Sequence, residues 1–186
     1  MGPTARTISY RTEPLAGIDR ILAAHRQAIG GDFEGYRNHC QRVALFCLAL
    51  LGDPAWEDKL AVTAAHHDLG IWTDKTWDYL APSSAQARAH LESIGHADWA
   101  DEVTTAIDNH HKLTAYRGGL SPLPEAFRRA DLIDISLGSI GFGLDHAFVR
   151  SVRAAFPNSG FHWRLWQLAG RAFVNNPLRP MPMFRV

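Results

Sequence analysis

Residues 60–70 read LAVTAAHHDLG, and the longer stretch before them, residues 33–51, reads FEGYRNHCQRVALFCLALL. In the shorter stretch His67 falls seven residues after Leu60 and three after Ala64, on one face of a helix with them. Asp68 follows at once. A histidine beside an aspartate on an apolar face is costly to bury unless a charge meets it there. A divalent cation would remove that cost. Adjacent helical residues point about 100° apart, so two successive ligands share one ion only where a helix ends or loosens. Gly70 is the expected end.

Outward from that point the chain reads as one helix after another. No segment shows clean period-2 alternation, and Val, Ile and Thr are sparse beside Ala and Leu. A first helix is predicted over residues 17–29, with Ile18, Ile21, Leu22 and His25 near one face and Gly30-Gly31 as its stop. Asp32 is the expected cap of the helix over 33–51, which Gly52-Asp53-Pro54 closes. The helix through 60–70 starts after Pro54. Residues 71–84 read as a loop, and Ser83 or Ser84 is expected to cap a helix through Ile94. Further helices are predicted over 97–113, from Pro124 through AFRRADLIDIS, over 145–155 and over 160–174, before an extended tail rich in proline. There is no internal repeat and no sign of a second domain. The expected fold class is all-α, a single-domain helical bundle of seven or eight helices over 1–186, with its core in 31–138 and C-terminal helices and tail in 144–186.

Lys plus Arg and Asp plus Glu each total 19, a formal net charge of zero. That balance has no footprint for a long nucleic acid, though it suits a nucleotide-sized ligand. No run approaches the roughly 18 apolar residues of a membrane span, and the opening MGPTARTISYRTEP lacks the apolar run of a signal peptide. Neither a membrane partner nor export is expected. Cys40 and Cys47, seven residues apart in one predicted helix, stand about 10 Å apart, too far to bridge. A reduced, cytoplasmic setting is the expectation. The count out of line is histidine, with ten. Histidine is neutral and metal-binding near pH 7.

Two more polar residues occupy core positions. His39 shares a stripe with Val43, Phe46 and Leu50, and Asp131 follows Phe127 at i+4 and Leu123 at i+8. Two histidines and two aspartates facing inward from three helices make a plausible five- or six-coordinate site with positions left for water. In the order His39, His67-Asp68, Asp131, the chain resembles the HD superfamily of metal-dependent hydrolases. The resemblance covers about 31–138 and rests on NHCQRV, AAHHDLG and RRADLID. It implies that His39, His67, Asp68 and Asp131 are metal ligands and that His66 is not. Two imidazoles and two carboxylates accept Mn, Fe, Co, Ni, Zn or Mg. Some members of the superfamily hold a second ion through extra histidines. His110-His111 sits where one such histidine is expected, but matching LESIG (91–95) to the family's Leu-x-x-x-Gly ending puts the other near Ala85 and leaves His90 a turn late. One ion is expected, with His110 or His111 acting on substrate.

The activity so implied is hydrolysis of a small phosphate ester, a nucleotide among the options, by a metal-activated water. Asp68 would orient or deprotonate that water, and His110, His111 or Lys112 would stabilise the growing charge. Asp74 and Asp78 are candidates for a further acid/base or substrate-facing role. Arg42 and Arg128 are expected to meet the small anionic substrate. Trp72, Trp77 and Tyr79 read either as a substrate wall or as a lid packed on the core. Asp134 reads as a surface or supporting group, and His25, His96, His146 and His162 as structural or surface residues. Two other classes stay open. One is an oxygenase with two irons, which would need His90 and His110 as ligands; the other is a non-catalytic module with a closed metal site. Oligomeric state is open as well.

Overall fold

Glycines and prolines divide the chain into helices, and the computed structural model, which describes residues 11–175, shows where each one stops. Among those residues there are eight helices of two turns or more and no strand. They are α1 (Ala16–Ala23), α2 (Phe33–Leu51), α3 (Glu57–His66), α4 (Leu80–Ser93), α5 (Ala100–Asn109), α6 (Leu123–Ile135), α7 (His146–Ala155) and α8 (Phe161–Asn175). The expected all-α class is what the chain adopts. The expected extended tail lies outside the described residues.

α2 is the axis of the bundle. It is buried on nearly every side, from Phe33 and Tyr36 through Val43, Phe46 and Ala49, as the unbroken apolar run 43–51 requires. Helices α1, α3, α6, α7 and α8 pack around it, α6 most extensively. Gly52 closes it in the left-handed conformation, φ 70°, with its amide donating to the Leu48 carbonyl. Gln41, buried in the same helix, accepts from the Leu15 amide and donates to the Leu15 carbonyl, which ties the N-terminal segment to the core. A smaller apolar cluster of Val62, Ala87, Leu91, Ala100, Val103 and Ile107 joins α3, α4 and α5.

Several expected boundaries move. The first helix breaks at Ala24-His25, leaving Arg26–Ile29 as a separate turn. Asp32 makes no capping bond; its carboxylate accepts from Trp72 Nε1 and Arg164 Nε, each at 2.9 Å. The expected loop over 71–84 is shorter, because Gly70–Thr73 forms a turn of helix and α4 begins at Leu80. Pro82 falls in the first turn of α4, where its missing N–H costs nothing. Ser83 and Ser84 are therefore inside α4: Ser83 Oγ accepts from the Gly70 amide and Ser84 Oγ donates to Asp108. Asp145 caps α7 in the ordinary way, accepting from the amides of Ala147 and Phe148.

Candidate metal centre

Four segments deliver polar groups to one buried point. α2 supplies His39. The turn that leaves α3 supplies His67 and Asp68, the turn that leaves α5 supplies His110 and His111, and α6 supplies Asp131. His67 makes the last i−4 bond of α3, to the Thr63 carbonyl, and the next bonds, from Leu69 and Ile71, run to i−3. The helix loosens just where two successive residues have to face the same point.

Each of the three fully buried imidazoles is held by its Nδ1–H. His39 donates to Asp134 Oδ2 at 2.7 Å, His67 to the Ala64 carbonyl at 2.7 Å and His110 to the Ile107 carbonyl at 2.6 Å. That leaves the Nε2 lone pairs turned inward. His39 Nε2 and His67 Nε2 stand 3.0 Å apart, two acceptors facing each other. Asp131 Oδ1 is 3.6 Å from His39 Nε2, and Asp68 Oδ2 is 3.4 Å from His67 Nε2 and 3.8 Å from His39 Nε2. Asp68 Oδ1 lies 3.3 Å from His110 Nε2, and both atoms are buried without a hydrogen-bond partner. Ligands held about 2.1 Å from one ion stand about 3.0–3.4 Å apart along an edge of its coordination polyhedron, close to these spacings. Three overlapping groups can hold an ion: His39, His67 and Asp131; His67, Asp68 and His110; His110, His111 and Asp131.

The electrostatics show the cost of such a cluster. Burial, with His39 and His110 nearby, pushes His67 down to about 3. Burial, with Asp68 and Asp134 adding to it, pushes Asp131 up to about 6. Burial acts the same way on Asp68, yet His67 and His110 hold it well below the usual carboxylate range. The inward Nε2 atoms and crowded carboxylates make a donor set that suits a divalent cation.

The expected residues are not all at this point. His66, not expected among the ligands, turns away, its Nδ1 donating to the Val62 carbonyl on the side of α3 that faces His90. His90 is thus remote from the cluster. Arg42, expected to meet substrate, is 1% exposed and locked to Asp134 through Nε at 2.5 Å and Nη2 at 2.7 Å, while Nη1 donates to the Phe156 and Pro157 carbonyls. No side of that guanidinium is turned to a ligand. Trp72, expected as a possible substrate wall, is buried against Tyr36 with its Nε1 on Asp32, because the turn after Gly70 points it back into the core. Asp74 and Asp78 are exposed and outside the pocket; Asp74 accepts from Thr73 and Gln86. The expected surface alternative for Asp134 is overturned: it is fully buried and carries His39 on one side and Arg42 on the other. Its role had one legible sign, its i+3 spacing from Asp131.

A cavity of about 350 Å³ opens onto Asp68 and Asp131. His110, His111, Lys112 and Arg128 line it, together with Trp77, Tyr79 and residues of α6 and α8, but the Arg128 guanidinium, expected to meet substrate, is held by the Glu125 carboxylate. His162, expected to be structural or on the surface, lies on its wall. α8 contributes Leu165, Trp166 and Ala169 as well. Tyr79 is buried and its hydroxyl bonds His111 Nε2 at 2.5 Å. Phe161 stacks on His39 with ring centres 4.1 Å apart, and Phe127 meets His67 edge-on. Sequence reading missed Phe161 because stacking across the bundle leaves no local pattern. No family model, curated protein or solved structure matches this chain.

Proposed function

We propose that the protein is a metal-dependent phosphohydrolase of the HD type, acting on a small phosphate ester. One observation carries the reading: three imidazoles, each fixed through Nδ1, turn their Nε2 lone pairs toward Asp68 and Asp131 beside a cavity that reaches solvent. A purely structural site would be closed. A divalent ion held by His39, His67, Asp68 and Asp131 supplies a water that ionises near neutral pH and offsets charge on phosphoryl oxygens.

The chain's own groups do the rest. Asp68 Oδ1 has no hydrogen-bond partner and is placed to orient an attacking water by accepting its O–H. Lys112 stands on the cavity wall and meets the phosphoryl oxygens as charge grows on them. Tyr79 donates its O–H to His111 Nε2, so that the His111 proton sits on Nδ1, 3.9 Å from Asp131 Oδ2 and beside the cavity. That N–H is placed to donate a hydrogen bond to the leaving-group oxygen, which takes its proton from water. Asp134 and Arg42 hold His39 in its tautomer. A cytoplasmic, reducing setting goes with this reading, since Cys40 and Cys47 are buried free thiols.

The test is elemental analysis of protein purified without chelator, together with turnover of a phosphomonoester. About one divalent ion per chain is expected, and His67→Ala or Asp68→Ala should abolish both ion content and hydrolysis. Hydrolysis retained by metal-free Asp68→Ala protein would overturn the proposal. A second reading, an oxygenase with two irons, keeps one of its two extra histidines, His110 beside Asp68, but His90 stands apart from the cluster, so a neighbouring ion would depend on His111 and Asp131 instead. About two irons per chain with oxygen uptake would select it.

A further inference from the structure

The mouth of the cavity is apolar to a degree that a phosphate site does not need. Trp77, Leu113, Leu132, Ile135, Leu165 and Trp166 line it. Leu113 is 69% exposed and Trp166 74%, with Ile135 at 36%, so three of the large apolar side chains that the protein leaves in water gather around this one opening. Exposed apolar surface so grouped marks a binding site.

The charges nearby are few. Arg128 spends its guanidinium on Glu125, with Nε and Nη2 each at 2.8 Å from the carboxylate, and its Nη1 donates to the Lys112 carbonyl. Glu125 also takes Arg129 Nε at 2.7 Å. Among the described residues Lys112 is the lining cation with no carboxylate in ion-pair reach. Asp68 and Asp131 together balance one divalent ion. A cavity with that charge has a place for one anionic head and none for a chain of phosphates.

Resting on the phosphohydrolase reading, we propose that the substrate is a monoester with a bulky apolar body, aromatic or branched aliphatic, and a single phosphate head. The head faces Asp68, Asp131 and Lys112. The body lies between Trp77 on one side and Leu132, Ile135 and Trp166 on the other. Nucleoside di- and triphosphates fall outside this class, because their polyphosphate chains have no further cation to meet and their sugars would lie on apolar walls.

The test compares ligands that share one head and cannot be hydrolysed, using calorimetry and tryptophan fluorescence on the metal-bearing protein. 1-Naphthylmethylphosphonate should bind about 30-fold more tightly than methylphosphonate, the effect of burying roughly 80 Å² of apolar surface, and should change tryptophan emission. Trp166→Ala, a change at an exposed position, should cut that preference about fivefold, as loss of an aromatic contact does. Leu113→Ala, also exposed, should lower it too. Equal binding of the two phosphonates, tighter binding of ATP, or a preference unchanged in both variants would overturn the inference. Hydrolysis is read separately. Tight naphthyl binding without turnover of 1-naphthyl phosphate overturns the phosphohydrolase reading and leaves the pocket assignment standing. Equal kcat/KM for ribose 5-phosphate and 1-naphthyl phosphate overturns the assignment and leaves the activity standing.

Discussion

The Asp134 side chain does not line the cavity, yet two of the buried side chains depend on it. Its Oδ2 receives both His39 Nδ1 and Arg42 Nη2 at 2.7 Å, and its Oδ1 receives Arg42 Nε. The carboxylate thus sets the tautomer of His39, a proposed ion ligand, and neutralises a guanidinium that has no access to water. Asp134→Asn should weaken metal affinity by about 10–100-fold, the usual effect of losing a group that orients a ligand. It should also cost about 3–5 kcal/mol of stability, because Arg42 is left charged and unpaired in the core. Dye-competition titration and denaturant unfolding measure the two effects. Arg42→Met combined with Asp134→Asn separates them: stability should return while affinity stays low. Wild-type affinity in Asp134→Asn protein would show that the Ala64 and Ile107 carbonyls, which hold His67 and His110, orient the site without Asp134.

At the level of elements, the centre is assembled where helices stop. α3 and α5 each end one residue before a histidine that the cluster uses, and α2 and α6 cross behind them. Gly70 shows how closely the connections are fitted. Its backbone φ is ordinary, so it is not glycine for conformational reasons. A Cβ there would lie 2.8 Å from the Tyr79 carbonyl and 3.1 Å from Pro82 Cγ. The glycine lets the start of α4 approach the end of α3, which brings the Tyr79 hydroxyl to His111. Gly70→Ala should therefore destabilise by about 1–3 kcal/mol, the range for an overpacked contact against backbone, as read by urea titration. A neutral result would mean that this connection can shift. Helical spacing and glycine stops made most elements legible, α2 to the residue at both ends. The 71–84 segment was not legible, because its aromatic residues follow no helical period and the turn over Gly70–Thr73 is held by contacts with α4.

For the molecule as a whole, burying so many polar groups at the convergence of α2, α3, α5 and α6 opposes folding unless something binds them. His39, His67, Asp68, His110, Asp131 and Asp134 are all buried. An ion that binds only the folded chain adds its binding free energy to stability, about 4 kcal/mol at a thousandfold excess over Kd. For a chain of this size that corresponds to a rise in Tm of roughly 8–16 °C. Calorimetric scans of chelator-treated protein with and without a saturating divalent ion check this. An unchanged Tm for every ion tried would remove the metal from the account. Among the described residues no helix is long and apolar enough to cross a membrane.

What the amino-acid order determined by itself was the helical class, the stop at Gly52, and the placing of His39, His67 and Asp131 on inward stripes. Each follows from local periodicity and from residues that cannot continue a helix. Tertiary structure alone decided which way the remaining polar groups faced. Arg42 and Asp134 are 92 residues apart, and Trp72 and Asp32 are 40 apart. Pairings at such separations come from how helices pack, and a side chain's neighbours in sequence carry no record of them. The apolar mouth around Trp166 belongs to the same class, since it exists only because α8, packed on α2, shares the cavity wall with α6.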